Sequence, residues 1–262
     1  MTEVSVVLTT FNRCKLLKRS VKSVLNQSFE DWELIIVDDC STDRTRLVVK
    51  DLIKKNPQHL SRIKYIRLPE NHGSDSYPKN FGIKSATGKY VAFLDDDDVY
   101  KKDALKVLYN YLSQSGADFV YGDYIWHSQE KNRVSKKINK VGWSIDFDPQ
   151  MLQRMNYIAM PVVMTRKECL IEVGGFDETV PKFKDWNLWI RLAKRGYKFL
   201  HIAIPVTDVY VQEQSVSSKY EVKVDDQGNY LPTFFDPIDC PIFSTKSCLG
   251  EEKPLRVAIF TM

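Results

Sequence analysis

Tyr90–Asp98, YVAFLDDDD, decides the fold. Its first half, Tyr90–Leu94, is an unbroken apolar run, as in a strand buried on both faces. Its second half is Asp95, Asp96, Asp97 and Asp98 in a row. Working back toward the N-terminus, Val4–Leu8 is a run of the same buried type, Glu33–Val37 a second short apolar strand and Ile63–Leu68 a third strand. Between them lie helical stripes. Leu17, Val21, Val24 and Leu25 share one face, with Asn12 expected to cap that helix. Ser41, Thr42 and Asp43 read as the start of a second helix carrying Leu47, Val48, Leu52 and Ile53. A third begins near Pro78 and ends before Gly88. After the acidic run, Leu105, Leu108 and Leu112 mark a fourth helix, closed by Gly116.

Strand–helix alternation predicts an α/β fold, a parallel sheet covered by helices on both sides. Right-handed crossovers then put the C-terminal ends of the strands on one edge, where open α/β sheets bind ligands. The residues that follow the strands are therefore the informative ones. Thr9, Thr10, Phe11, Asn12 and Arg13 follow the first strand, Asp38 and Asp39 the second, and Asp95–Asp98 the fourth.

Beyond residue 117 the pattern is less regular. Asp118–Tyr124 and Pro161–Thr165 read as strands, and Lys131–Lys140 as a basic loop. The aromatic residues within 121–143 read equally as strand packing or as an acceptor platform. Residues 185–195 form a mostly buried helix, with Trp186, Trp189, Ile190 and Ala193 on one stripe and Gly196 after it. Tyr197–Ile202 and Val206–Gln212 read as two further strands. Residues 213–250 are polar and without period.

Composition removes several classes. The 262 residues carry 38 Lys and Arg against 34 Asp and Glu, a net charge of +4 too small and too evenly spread for a nucleic-acid binder. No apolar run approaches the ~18 residues of a membrane span, and the N-terminus has no signal-peptide pattern. The five cysteines form no C-x-x-C pair, which argues against zinc and for reduced thiols in a cytoplasmic protein.

Four adjacent carboxylates repel one another unless they fan out into water or share a cation. At the ligand edge of an α/β sheet, the second arrangement suits a metal–phosphate site, and hard oxygen ligands imply Mg²⁺ or Mn²⁺. Asp38 and Asp39 suit a nucleoside pocket or a helix cap. In the first case Phe11 would stack on the base and Asp39 would accept from its edge. His59, His127 and His201 read as surface or strand residues, whereas His72 lies in an N-x-G loop beside this edge.

VSVVLTTFNR (4–13), SVLNQSFEDWELIIVDDCSTD (23–43), NHGSDSYPKNFGIKSATGKYVAFLDDDD (71–98), GGFDE (174–178) and DWNLWIRL (185–192) follow one another in order. Together they resemble glycosyltransferase family 2 on a GT-A fold, over roughly residues 3–218. The resemblance implies a mostly parallel, Rossmann-like sheet with a smaller mixed region on the acceptor side. It also implies a nucleotide-diphosphate-sugar donor, a divalent metal and inversion at the anomeric carbon. It places Thr9, Phe11 and Asp39 at base and ribose, with Asn12, Arg13, Asp38 and His72 beside them. Asp95 and Asp97 fall on the D-x-D pattern, with Asp97 as direct metal ligand and Asp96 near the ribose. Lys79, where relatives often carry Arg, falls near the diphosphate, and Asp185 falls on the catalytic base.

Three features depart from the pattern. Lys184 stands where relatives are often acidic, Gln212 stands in a segment where they often carry histidine, and the Q-x-x-R-W motif of processive synthases is missing. Transfer of one sugar per encounter, to a carbohydrate or lipid-linked carbohydrate, fits better than polymer extrusion. The expected organisation is a glycosyltransferase domain over 1–218, with a nucleotide-binding half at about 1–100 and an acceptor half at about 101–218. A polar linker (219–253) and a strand at 254–262 opening a C-terminal domain of the same chain would follow. The expected location is cytoplasmic, with peripheral contact at the inner membrane face. The alternative is a degenerate sugar-nucleotide-binding module without turnover. A nucleotidyltransferase or a dinucleotide dehydrogenase needs a glycine-rich loop after the first strand, and Thr9–Arg13 has no glycine.

Overall fold

The computed structural model describes residues 2–128, 138–142 and 145–210. The expected linker and terminal strand (219–253 and 254–262), Gln212 and most of the basic loop lie outside the described residues. The strands are β1 (Val4–Thr10), β2 (Trp32–Asp38), β3 (Ile63–Arg67), β4 (Tyr90–Asp95), β5 (Val99–Tyr100), β6 (Phe119–Ser128), β7 (Ile138–Gly142), β8 (Val163–Arg166) and β9 (Phe199–Tyr210). The helices are α1 (Cys14–Leu25), α2 (Thr45–Lys55), α3 (Ser76–Ser85), α4 (Ala104–Gln114), α5 (Pro149–Arg154), α6 (Lys167–Glu172) and α7 (Lys184–Lys194).

One sheet runs in the order β3-β2-β1-β4-β8-β6-β9-β5, with β7 added beside β6. The β3-β2-β1-β4 block is wholly parallel. From β8 onward the pairing is mixed, because β4–β8, β8–β6 and β9–β5 are antiparallel while β6–β9 is parallel. This is the expected α/β architecture, a parallel half joined to a smaller mixed half. β1 and β2 are buried along their whole length, and their polar members Ser5 and Glu33 hydrogen-bond to each other at 2.7 Å. Each fully buried Val, Leu or Ile there contributes about 1.5–3 kcal/mol relative to exposure. Helix α1 presents Leu17, Val21, Val24 and Leu25 to this sheet. Helix α3 comes so close that a Cβ at Gly82 would sit 2.5 Å from Val7 Cγ1.

Three local expectations are corrected. The two C-terminal strands are a single β9 that continues through Pro205, with Ala203 and Ile204 exposed in its interior. Its pairing with β6 shifts register around Gly122 and Asp123. The last part of the basic loop, residues 138–140, belongs to β7. Asn12 does not cap α1, whose N-cap is Arg13 without a side-chain bond. Among the described residues, no helix is long and apolar enough to cross a membrane.

Helix α7 is anchored through its indoles. Trp186 Nε1 donates to Leu152 O at 2.5 Å and Trp189 Nε1 to Ile158 O at 3.1 Å, so each ring is buried with its polar atom satisfied. Tyr121 is also buried, and its hydroxyl donates to Ile145 O at 2.5 Å, which is core packing.

Candidate active site

Register brings the strand ends level. Thr10 faces Asp38 across β1–β2, and Thr9 faces Asp95 across β1–β4. The loops leaving β1 and β2 then cap each other. Asn12 Oδ1 accepts from Thr42 N at 2.8 Å and Asp43 N at 3.2 Å, while Asp43 Oδ2 accepts from Cys14 N at 3.1 Å in the first turn of α1. Asn12 adopts φ +54° to do this. The other described non-glycine residues at positive φ are Cys40 (+63°) and Phe183 (+55°). One follows the Asp38–Asp39 pair and the other precedes Asp185. Backbone held in this sparsely populated region tends to cluster at functional sites.

The two strand-end aspartates of β2 have different surroundings. Asp38 is fully buried and accepts from Ser41 N at 2.8 Å and Tyr65 Oη at 2.5 Å. Its carboxylate is thus engaged within the fold. Asp39 accepts from Asn71 Nδ2 at 2.7 Å, from His72 N at 3.1 Å and from His72 Nδ1 at 2.9 Å. His72 in turn stacks on Tyr77 with ring centroids 3.8 Å apart. The Asn71–His72 loop therefore fixes the Asp39 carboxylate. Phe11 stands 42% exposed at the neighbouring strand end, available for stacking.

The acidic run is parted among different partners. Asp95 pairs with Lys79 at 3.3 Å. Asp96 accepts from Thr10 Oγ1 at 2.7 Å and from Arg13 at 3.1 Å. Asp97 pairs with Arg13 at 3.0 Å, and its backbone carbonyl accepts from Arg19. Asp98 accepts from the Tyr210 backbone N–H at 2.9 Å. Burial pushes the Asp96 carboxyl up to about 6 despite Arg13 and Thr10. Burial and the neighbouring aspartates raise Asp97, and raise Asp98 well above the usual carboxylate range. Desolvation thus outweighs the attraction of Arg13 and Arg19 across the cluster.

Those donor groups fit a divalent ion shared with phosphate. Among the described residues no three His, Cys, Asp or Glu side chains converge into a closed cage. Mg²⁺ and Mn²⁺ sites of the phosphate-sharing kind use one or two carboxylates, with substrate oxygens completing the shell. Asp97, 12% exposed at its side chain and paired with Arg13, could supply one such carboxylate.

Helices α3 and α7 meet at the same edge. The Lys79 side chain is only 5% exposed and pairs with Asp75 at 2.5 Å as well as with Asp95. Burial alone would lower its ammonium, but Asp75, Asp95 and the nearby Asp185 outweigh that and hold it above the ordinary lysine value. Asp185 keeps part of its surface accessible, although protein crowds its carboxyl on the other sides. That desolvation raises it, against the Trp186 backbone N–H and a hydrogen bond from Asn156 Nδ2 at 2.9 Å. A carboxylate raised in this way is better suited to accept a proton.

The GGFDE segment serves as a clamp. Asn80 of α3 donates to Phe176 O at 2.9 Å and accepts from Phe176 N at 2.7 Å. Arg191 of α7 donates to Val173 O at 2.6 Å and Gly175 O at 2.5 Å. The segment thereby ties α3 to α7. Sequence reasoning missed Asp75 and Asn156. Asn156 lies in a stretch without period, and Asp75 shows only a spacing of four from Lys79, the commonest of surface pairs.

Comparison with known proteins places this geometry in a family. Residues 5–170 match the family model described as glycosyl transferase family 2. An uncharacterised glycosyltransferase of Rickettsia conorii is 32% identical over 74% of this chain. The chain spans only 31% of that relative's length. The GalNAc(5)-diNAcBac-PP-undecaprenol beta-1,3-glucosyltransferase of Campylobacter jejuni is 30% identical over 81% of this chain and 67% of its own. Among solved structures, S. aureus TarS 1–349 in complex with UDP-GlcNAc superposes with a TM-score of 0.65 at 20% identity, over 84% of this chain and 62% of its own. The mannosyltransferase PcManGT of Pyrobaculum calidifontis, in complex with GDP-Man and Mn²⁺, gives 0.64 at 18%, over 83% and 59%. The fold is the one these GT-A structures share, and the family match spans residues 5–170, most of the described residues: the chain belongs to glycosyl transferase family 2.

Proposed function

We propose that this chain transfers a sugar from a nucleotide-diphosphate donor to a hydroxyl acceptor, with a divalent metal and with inversion at the anomeric carbon. The observation that carries the reading is Lys79, which pairs with Asp95 and feels the charge of Asp185. The acidic strand end and the carboxylate of α7 thus share one buried charge cluster. In this reading Phe11 and Asp39 hold the nucleoside, with Thr9, Asn12 and His72 shaping its pocket. Arg13 and Lys79 face the diphosphate, Asp95 orients Lys79, and Asp97 holds Mg²⁺ or Mn²⁺. When bound, the metal supplies Lewis-acid stabilisation of charge on the departing diphosphate. Asp185 accepts the acceptor's proton as its oxygen attacks the opposite face of the sugar. Asn156 keeps that carboxylate in place.

The Campylobacter relative's printed activity on an undecaprenol-linked glycan favours a lipid-linked carbohydrate acceptor and assembly of a surface glycan. Such an acceptor fits a cytoplasmic protein in peripheral contact with a membrane. The test is a melting-temperature panel of UDP-, GDP-, dTDP- and CDP-sugars with Mn²⁺, run on the native protein and on Asp97→Ala. One base should stabilise the native protein by roughly RT ln(1 + [L]/Kd), and EDTA or Asp97→Ala should remove most of that gain. A gain equal in native and variant protein, with or without EDTA, excludes the metal-bound donor.

A further inference from the structure

Asp75 precedes α3, and its side chain is 44% exposed, yet both its oxygens are taken. Oδ2 accepts from Lys79 Nζ at 2.5 Å, and Oδ1 accepts from Lys184 Nζ at 2.5 Å. Lys79 lies one turn along the same helix, whereas Lys184 opens α7 and adjoins Asp185. The residue ahead of Lys184, Phe183, stands at φ +55°. A helix start with strained backbone keeps its place only if its surroundings fix it. We propose that Asp75 is a positioning residue for transfer: it pins Lys184, and with it the first turn of α7 that carries Asp185, to the donor side of the cleft.

An ordinary surface pair four residues apart contributes little. This pair differs because Lys79 is buried, and a buried ammonium must keep a partner. Without the Asp75 carboxylate, Lys79 draws toward Asp95, now its nearest acid, and Lys184 is released. Both changes move charge around the reacting atoms, where misplacement by about 1 Å can cost about 100-fold in rate. Asp75 itself touches neither the sugar nor the acceptor in this scheme. The role assigned to it rests on the reading of Asp185 as the base.

Three variants, Asp75→Asn, Asp75→Glu and Asp185→Asn, separate the two ideas. The first readout is amide exchange at Asn187, whose N–H donates to Phe183 O at 2.9 Å and closes the first turn of α7. The second is transfer of sugar to water, followed as nucleoside diphosphate released from the donor that gives the largest melting shift. For Asp75→Asn, exchange at Asn187 should quicken about tenfold more than exchange in the β1–β2 core, whatever the fall in melting temperature. Its kcat should fall about 10- to 100-fold with the donor KM within about threefold. Asp75→Glu should restore most of both. Native exchange at Asn187 in Asp75→Asn, or a loss confined to KM, overturns the pin whatever Asp185 does. A native rate for Asp185→Asn overturns the base reading instead, and the exchange result then decides the pin alone.

Discussion

Glu33 ties the first three elements of the sheet together from within, and its removal gives a quantitative test. Its carboxylate accepts from Ser5 Oγ at 2.7 Å, from Thr87 N at 2.6 Å and from Thr87 Oγ1 at 2.7 Å, and it pairs with Lys64 at 2.7 Å. Burial by itself would raise this carboxyl, but these contacts win and lower it from the usual 4.5 to about 2. The folded value is the depressed one. The stabilisation is therefore fully present above pH 4.5 and is lost as pH falls toward about 2. Each pKa unit corresponds to about 1.4 kcal/mol, which gives about 3 kcal/mol as a ceiling. Lys64 is 41% exposed, so solvent screens its share, and we expect about 2 kcal/mol. Glu33→Gln keeps an acceptor for Ser5 and Thr87 but carries no charge. Urea unfolding of both proteins between pH 2.5 and pH 7 should give a stability difference of about 2 kcal/mol at neutral pH that shrinks steadily below pH 4.5. A difference independent of pH would show that the charge contributes nothing and would refute the argument.

Three further substitutions probe the site's supports, Gly116→Ala among them as a control. At Gly175, φ is +71° and an added Cβ would lie 2.4 Å from Asn80 Oδ1, whereas at Gly116 φ is +70° and the space is open. Gly175→Ala should therefore cost about 2–4 kcal/mol and Gly116→Ala about 1–2 kcal/mol, read as melting temperatures, and equal losses would deny the clamp. Asp39→Ala should weaken binding of the free nucleoside diphosphate about tenfold by calorimetry without metal, and an unchanged affinity would confine Asp39 to holding Asn71 and His72.

The parallel half was legible in sequence because β1, β2 and β4 are buried on both faces and read as short, mostly apolar runs. Tyr90–Leu94 and Val4–Leu8 needed no partner to be recognised, and the polar residues at their ends marked the ligand edge. What sequence obscured was pairing between distant residues. Asn12 has the chemistry of a helix cap, yet it caps the Thr42–Asp43 turn 30 residues away, a choice that depends on β1 and β2 lying side by side. Asp38 and Asp39 look alike in sequence, but Tyr65 and Ser41 claim the first while Asn71 and His72 hold the second. The mixed half was harder to read for the reason seen in β9. Pro205, which has no N–H to give a ladder, falls inside that strand, and only pairing with β6 joins the two ends.

The central claim is that Asp185 takes the proton of the attacking hydroxyl. The most direct test is single-turnover transfer by Asp185→Asn, with melting temperature and nucleoside diphosphate affinity measured on the same sample. Asparagine keeps the size of the side chain and retains an acceptor for Asn156, but it cannot take the proton. The account predicts a folded protein that binds the nucleotide as the native one does and transfers about 10²- to 10⁴-fold more slowly. Near-native turnover by a folded Asp185→Asn protein would contradict it.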